Sequence, residues 1–147
     1  MSHVVTEFSE IAPFLFLGTN LCCQDHAERL TALGAQVDIS LEAERVEMPH
    51  GFQSSLWLPV QDHEAPTLCQ LDIGTAAIEE AERRGYRVYL HCKNGHGRSP
   101  TMAISYFIRT GLSLEEAEAR VRSGRPEIDP TPAQRERLRE FERIRKP

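Results

Sequence analysis

The chain has 147 residues, of which 40% are hydrophobic and 27% are charged, and a chain of this length is typical of one globular domain, here residues 1–147. The formal net charge of −5 argues against broad nucleic-acid binding, which usually requires an excess of basic residues. No apolar run approaches the roughly 18 residues of a membrane-spanning helix, and the first residues lack the pattern of a secretory signal, so we expect a cytoplasmic protein without a transmembrane segment.

In chain order, the sequence predicts a strand over 11–18, a helix over 24–33, strands over 36–41 and 55–60, a helix over 68–84, a strand over 87–91, helices over 101–110 and 114–122, and a last helix from residue 132. Each of the first four helices runs up to a glycine that suits a helix C-terminus. Ser113-x-x-Glu116 and Thr131-x-x-Gln134 are capping boxes that mark the starts of the last two helices. Because strands alternate with helices up to residue 91 and only helices follow, we expect an α/β fold with a mostly parallel central sheet flanked by helices.

The segment after the strand over 87–91 carries the strongest chemical signal. It reads His91-Cys92-Lys93-Asn94-Gly95-His96-Gly97-Arg98-Ser99-Pro100 and leads into a helix. Glycines let such a loop curl, and successive backbone N–H groups at a helix N-terminus form a concave anion site. Arg98 can add a two-pronged contact to a phosphate group. The same positive field favours the thiolate of Cys92, which would then be a nucleophile for phosphoryl transfer.

This loop resembles that of the cysteine-dependent protein tyrosine phosphatases, which reads H-C-x-x-G-x-x-R-S/T. The matching residues are His91, Cys92, Gly95, Arg98 and Ser99. The order of elements is similar to the small dual-specificity branch, with I-x-P-x-L-x-L-G at 11–18, an aspartate in a loop about 30 residues before the cysteine, and L-x-x-F-E at 138–142. The resemblance covers nearly the whole chain. It implies a phosphate-binding loop between a central strand and a helix, and hydrolysis of phosphomonoesters through a cysteinyl-phosphate.

The resemblance also implies that Cys92 attacks the phosphorus atom and that Arg98 and the residues before it hold the phosphate oxygens. The phosphate-binding residues implied in this way are Lys93, Asn94, Gly95, His96, Gly97 and Arg98. By the same resemblance, Ser99 donates a hydrogen bond to the Cys92 thiolate, and His91 supports the loop from behind. The ordinary alternatives are that Ser99 only caps the following helix and that His91 is only the end of a strand.

A proton donor is required for the leaving oxygen, and a base must later activate water. Asp62 is the candidate for both roles, because it follows a predicted strand in a proline-bounded loop, where the family places its acid. The alternative for Asp62 is a solvated loop aspartate, and His63 and Glu64 are the other donors on the same loop. Gln134 lies where some relatives position the hydrolytic water, but its place in a capping box favours a purely structural role.

Two substrate classes share this chemistry. Phosphorylated proteins or peptides are the expected substrates, with phosphotyrosine first and phosphoserine or phosphothreonine as well. A phosphoinositide or inositol phosphate is the alternative, because Lys93 directly after the cysteine, partly supported by His96, also occurs in phosphoinositide-directed relatives. A catalytically inactive phosphate-binding module is a remote alternative. We expect a monomer that does not bind nucleic acid.

The four cysteines lack both the CxxC spacing of zinc sites and the density of a disulfide scaffold. Cys22, Cys23 and Cys69 are therefore expected to be free thiols that pack as small apolar residues in a reducing compartment. The spacing predicts no metal site, and the resemblance implies catalysis without a cofactor.

Overall fold

The computed structural model describes residues 7–21, 24–46 and 51–145. The elements in chain order are β1 (Phe8–Ala12), β2 (Leu15–Gly18), α1 (Gln24–Ala32), β3 (Ala35–Glu42), β4 (Ser54–Val60), α2 (Leu68–Arg83), β5 (Arg87–His91), α3 (Arg98–Arg109), α4 (Leu114–Gly124) and α5 (Pro132–Arg145). The strands form one sheet in the order β1-β2-β5-β3-β4. β1 and β2 are antiparallel, and the other neighbours are parallel. The predicted α/β fold with a mostly parallel sheet is confirmed.

Alternate residues of the inner strands face two different cores, since successive side chains of a strand point to opposite faces. Val88 and Leu90 of β5 belong to the larger core, which also takes buried residues from α2, α3, α4 and α5. Tyr89, between them, belongs to a smaller core with Ala27 and Leu30 of α1. Helix α1 therefore covers one face of the sheet, and the other four helices cover the opposite face.

Helix α3 lies at the centre of the larger core. All of its residues from Arg98 to Ile108 are buried, and the helix contacts α2, α4 and α5 as well as the sheet. A helix that is buried all round is held firmly by its surroundings. Because α3 starts directly after the segment that follows β5, the chemistry-bearing loop is fixed at both ends by largely buried elements.

Helices α4 and α5 are joined by Glu118, which accepts hydrogen bonds from Arg122 at 3.0 Å and Arg135 at 2.7 Å. Burial raises the pKa of Glu118, but the hydrogen bonds from the two arginines outweigh burial, so the pKa lies below its ordinary value. The ionised carboxylate thus ties the N-terminal half of α5 to α4. Among the described residues, no helix combines the length and apolar character needed to cross a bilayer.

Three predicted boundaries are wrong. The single strand predicted over 11–18 is a hairpin, in which β1 and β2 flank a turn at Pro13 and Phe14; the apolar run hides the turn that proline introduces. Helix α3 begins at Arg98 rather than residue 101, since Pro100 is tolerated in a first helical turn. Helix α4 includes Gly124 as its last residue, with Arg125 as the C-cap, whereas the glycines after α1, α2 and α3 have the expected positive φ.

Candidate active site

The loop formed by residues 92–98, here named the phosphate loop, joins the C-terminal end of β5 to the N-terminus of α3. Cys92 opens it and is only 2% exposed. Its Sγ lies 3.2 Å from Ser99 Oγ and accepts a hydrogen bond from the backbone N–H of Gly95 at 3.3 Å. Two polar contacts thus surround the sulfur.

The phosphate loop is curled around Gly95, whose φ is +73°. Arg125, 1% exposed, lies behind the loop and donates from Nε to the carbonyl of Gly95 at 3.0 Å and from Nη2 to the carbonyl of Asn94 at 3.3 Å. The C=O and N–H of one peptide group point in opposite directions. Arg125 therefore draws two carbonyls backward and turns the N–H groups of Gly95 and His96 to the opposite side, where an anion can meet them.

Arg98 is 2% exposed, and its guanidinium group is held by a carboxylate. Its Nη1 and Nη2 donate to the two carboxylate oxygens of Glu44 at 2.5 and 3.0 Å, and Nη1 also donates to the carbonyl of Val60 at 2.7 Å. Burial lowers the pKa of Arg98, but the hydrogen bond with Glu44, together with nearby negative charges that include Glu44 and Asp62, outweighs burial, so the pKa is raised. The same hydrogen bond holds the pKa of Glu44 below its usual value. Both groups are therefore charged.

Sequence reasoning missed Glu44. It follows the C-terminal end of β3, which neighbours β5 in the sheet. The carboxyl ends of parallel strands meet at one edge of the sheet, where ligands usually bind. The position of Glu44 just after a predicted strand was therefore the signal that could have identified it as a site residue.

Asp62 lies in the segment between β4 and α2, here named the acid loop and comprising residues 61–67. Its side chain is half exposed, and its Oδ1 accepts a hydrogen bond from the backbone N–H of His63 at 3.0 Å. The same oxygen lies 3.6 Å from Arg98 Nη2. The structure therefore brings Asp62 to the phosphate loop from a position 30 residues before Cys92.

A cavity of about 240 Å³ lies between the phosphate loop and the acid loop. The described residues that line it are Cys92, Asn94, His96, Gly97 and Arg98 from the phosphate loop, Asp62 and His63 from the acid loop, and Asp129, Thr131 and Gln134 from the start of α5 and the segment before it. Sequence reasoning had selected Thr131 only as part of a capping box and had not selected Asp129, because neither residue belongs to a catalytic motif.

Lys93 is not among the described residues that line this cavity. Its charge acts instead on Glu44, whose pKa it helps to lower. Gly95 is not in the lining either, and it contributes its backbone to the shape of the loop. Of the predicted phosphate-binding residues, four line the cavity, namely Asn94, His96, Gly97 and Arg98.

His91 is fully buried beneath the phosphate loop, and its Nε2 lies 2.7 Å from Asp38 Oδ1. Its ring stacks on Tyr89, with the ring centroids 5.0 Å apart. Asp38 also accepts a hydrogen bond from Ser55 at 3.2 Å. The residue before Cys92 is thus fixed by a carboxylate on β3, a contact that sequence reasoning did not foresee.

The predicted capping box at the start of α5 is confirmed. Gln134 Oε1 accepts a hydrogen bond from the backbone N–H of Thr131 at 2.9 Å, and Thr131 Oγ1 accepts one from the backbone N–H of Gln134 at 3.2 Å.

Cys69 is an exposed free thiol on α2, so it is not packed as a small apolar residue. It lies in the first turn of α2 on an exposed face of that helix, which explains the difference. Cys22 and Cys23 lie outside the described residues. Within the described ranges, no cluster of His, Cys, Asp and Glu is arranged to hold a metal ion.

The chain is similar in sequence and in structure to known phosphatases. The family model described as "Dual specificity phosphatase, catalytic domain" matches residues 15–144. The chain is 32% identical over 143 residues to human "Dual specificity phosphatase 28", covering 96% of this chain and 81% of that protein. The crystal structure of human DUSP28 matches with a TM-score of 0.83 and 30% identity, covering 98% of both chains. The crystal structure of PTPMT1 in complex with PI(5)P matches with a TM-score of 0.84 and 28% identity, covering 94% of this chain and 96% of that one.

Proposed function

The chain belongs to the dual specificity phosphatase family, and we propose that it hydrolyses phosphomonoesters of proteins or peptides with Cys92 as its nucleophile. The observation that carries this proposal is the meeting of three groups at one small cavity: the buried sulfur of Cys92, the charged guanidinium of Arg98 and the carboxylate of Asp62. A nucleophile, an anion-binding group and a proton donor are the parts that phosphoryl transfer to a cysteine requires.

The hydrogen bonds of Arg98 support its role in phosphate binding. A guanidinium group has five N–H donors, and among the described residues Glu44 and Val60 use three of them. The Nε–H and the second Nη2–H are left, and these two lie on one edge of the planar group. That edge fits two oxygens of a phosphate dianion. Glu44 would therefore aim Arg98 without occupying the donors that substrate needs.

In the proposed reaction, the Cys92 thiolate attacks phosphorus while the bond from phosphorus to the ester oxygen breaks. Asp62 gives its proton to the departing oxygen. Water then attacks the cysteinyl-phosphate, Asp62 takes a proton from that water, and the sulfur leaves as a thiolate that accepts a hydrogen bond from Ser99. The phosphate-loop N–H groups and Arg98 hold the equatorial oxygens throughout, and their fixed positions stabilise the charge of the transition state.

Phosphoproteins are favoured over phosphoinositides by the charges around the cavity. The described residues that line it include two carboxylates, Asp62 and Asp129, and do not include Lys93. Carboxylates repel a second phosphate group. The alternative, a phosphoinositide phosphatase, is favoured by the presence of Lys93 in the phosphate loop and by the similarity to the structure of PTPMT1 with PI(5)P.

We further propose that residues 1–147 form one domain that acts as a monomer in the cytoplasm. The single sheet with helices on both faces supports one domain. The described cysteines, Cys69 and Cys92, are free thiols, and free thiols persist in reducing compartments.

The test compares release of inorganic phosphate from a phosphotyrosine peptide, a phosphothreonine peptide and PI(5)P vesicles, with Cys92→Ser as the control. We expect the wild type to hydrolyse the phosphotyrosine peptide fastest, and Cys92→Ser to bind the peptide without turnover. Faster hydrolysis of PI(5)P would establish the alternative. Peptide binding without turnover by the wild type would instead identify an inactive phosphate-binding module.

A further inference from the structure

The acid loop is tied to the N-terminal half of α5 by a row of hydrogen bonds to its backbone carbonyls. The bonds are Thr131 Oγ1 to the carbonyl of His63 at 2.9 Å, Gln134 Nε2 to the carbonyl of Glu64 at 2.9 Å, and Arg137 Nη1 to the carbonyl of Pro66 at 2.7 Å. The three acceptors follow one another along the loop directly after Asp62. The three donors recur every third residue, so they lie along one side of the helix.

The donors belong to a rigid part of the molecule. Gln134 is 1% exposed and is fixed by the capping box that it forms with Thr131. Leu138 and Phe141, further along α5, are buried in the main core. Gln134 also packs against Gly97, since a Cβ at Gly97 would lie 2.9 Å from Gln134 Oε1. One side of α5 therefore contacts both loops that form the cavity.

The acid loop, in contrast, has little of its own to hold its shape. Asp62, His63 and Glu64 are exposed, and the internal backbone hydrogen bond joins Glu64 N to Gln61 O at 3.0 Å. His63 has a φ of +68°, a left-handed conformation that is unfavourable for a residue with a side chain. Such conformations persist where surrounding contacts impose them, and the hydroxyl of Thr131 binds the carbonyl of this same residue.

We propose that Thr131, Gln134 and Arg137 form a latch that sets the position of the Asp62 carboxylate above the phosphate loop, a proposal that rests on the function proposed above. Thr131 and Arg137 are positioning residues for proton transfer, acting through the backbone carbonyls of His63 and Pro66 in the part of the acid loop that follows Asp62. Loss of a latch bond leaves Cys92 and Arg98 in place and misaligns the proton donor. Nucleophilic attack on phosphorus then continues, while protonation of the departing oxygen becomes slow.

The test measures kcat/KM for aryl phosphates whose leaving groups range from activated nitrophenols to unsubstituted phenol, with Thr131→Val and Arg137→Leu. We expect about a tenfold loss for phenyl phosphate, part of the roughly 10²- to 10⁴-fold that a general acid supplies. For the activated esters we expect less than about a twofold change, because good leaving groups depart without a proton. Thr131→Ser keeps the hydroxyl and restores the wild-type pattern. Arg139→Leu is the matched control, since the contact of Arg139 among the described residues is an exposed ion pair with Glu136.

A double variant makes the assignment specific. In an Asp62→Asn background, Thr131→Val and Arg137→Leu should cause no further loss for phenyl phosphate, since the group they position is gone. An equal loss for all leaving groups, an undiminished loss in the Asp62→Asn background, or a wild-type pattern in both latch variants overturns the latch alone. Arg137→Leu leaves the capping box intact, so this result holds even if Thr131→Val folds poorly. Absence of wild-type turnover on every ester overturns the proposed function as well.

Discussion

Replacing Gly95 by alanine tests the shape of the phosphate loop. At its φ of +73°, alanine costs about 1 kcal/mol through the left-handed conformation alone. The added Cβ would also lie 2.9 Å from the carbonyl carbon and oxygen of Gly18 and 2.9 Å from a nitrogen of Arg125. The contacted Gly18 atoms belong to the backbone of β2, and the Arg125 side chain is fully buried. Neither group can therefore move away from the added Cβ freely. Overpacking of this kind adds about 1–3 kcal/mol, which gives a total of about 2–4 kcal/mol.

The assay combines thermal unfolding with kinetics. For a chain of this size, that destabilisation lowers Tm by roughly 5–15 °C. Activity should fall by more than the loss of stability explains, because the backbone N–H of Gly95 donates a hydrogen bond to the sulfur of Cys92. Loss of one donor that stabilises developing charge costs about 10²- to 10³-fold, so we expect kcat/KM for a phosphotyrosine peptide to fall by about 100-fold at a temperature where the variant is folded.

Gly85→Ala is the matched control. Gly85 has a φ of +81° in the turn between α2 and β5, and none of the described residues brings an atom within 4 Å of an added Cβ. Alanine there carries the same conformational cost of about 1 kcal/mol without the overlap, so Tm should fall by only about 2–4 °C with full activity. Equal losses of stability in the two variants would refute the steric argument, and normal activity in Gly95→Ala would refute the proposed role of the loop.

Asp62→Asn should slow phosphotyrosine hydrolysis by about 10²- to 10⁴-fold and spare activated aryl phosphates, since only poor leaving groups need a proton; a uniform loss across a leaving-group series would contradict this. Arg98→Lys should lower kcat/KM by at least about tenfold, because a lysine cannot make the two-pronged contact with phosphate; a loss below about threefold in the same assay would argue against that contact. Glu118→Gln should lower Tm at neutral pH, and the difference from wild type should vanish as acid titrates the lowered pKa of Glu118. A difference in Tm that grows on acidification would show the opposite sign of coupling.

The phosphate loop could be predicted because its residues are contiguous in sequence. Its strand, turn and helix depend on local patterns, and Cys92 and Arg98 need no distant partner to be noticed. Glu44 is 54 positions from Arg98 and reaches it only because β3 lies beside β5. The order of strands in a sheet depends on how the helices pack, which local patterns do not report. The contact of Asp38 with His91 was hidden for the same reason.

The wrong boundaries share a different cause. Over residues 11–18, the apolar pattern is continuous, and both arms of the hairpin contribute to it: β1 buries its last two residues, Ile11 and Ala12, and β2 buries all four of its residues. At Gly124, the helix continues instead of turning. The glycine is needed there for space, because a Cβ at this position would lie 2.8 Å from the side chain of Ile11. A sequence shows that a glycine is present but does not show which of these two needs it meets.

Strand β5 is the last strand in the chain, yet it occupies the middle of the sheet between β2 and β3. During synthesis, the edges of β2 and β3 that pair with β5 therefore lack their hydrogen-bonding partner until residues 87–91 have been made. The pairs that close the sheet, such as Leu15 with Val88 and Ala35 with Arg87, join distant parts of the chain, and contacts of this kind slow folding. Open strand edges invite association between chains. The strand that leads into Cys92 and the phosphate loop is thus also the one whose insertion ends the aggregation-prone stage of folding.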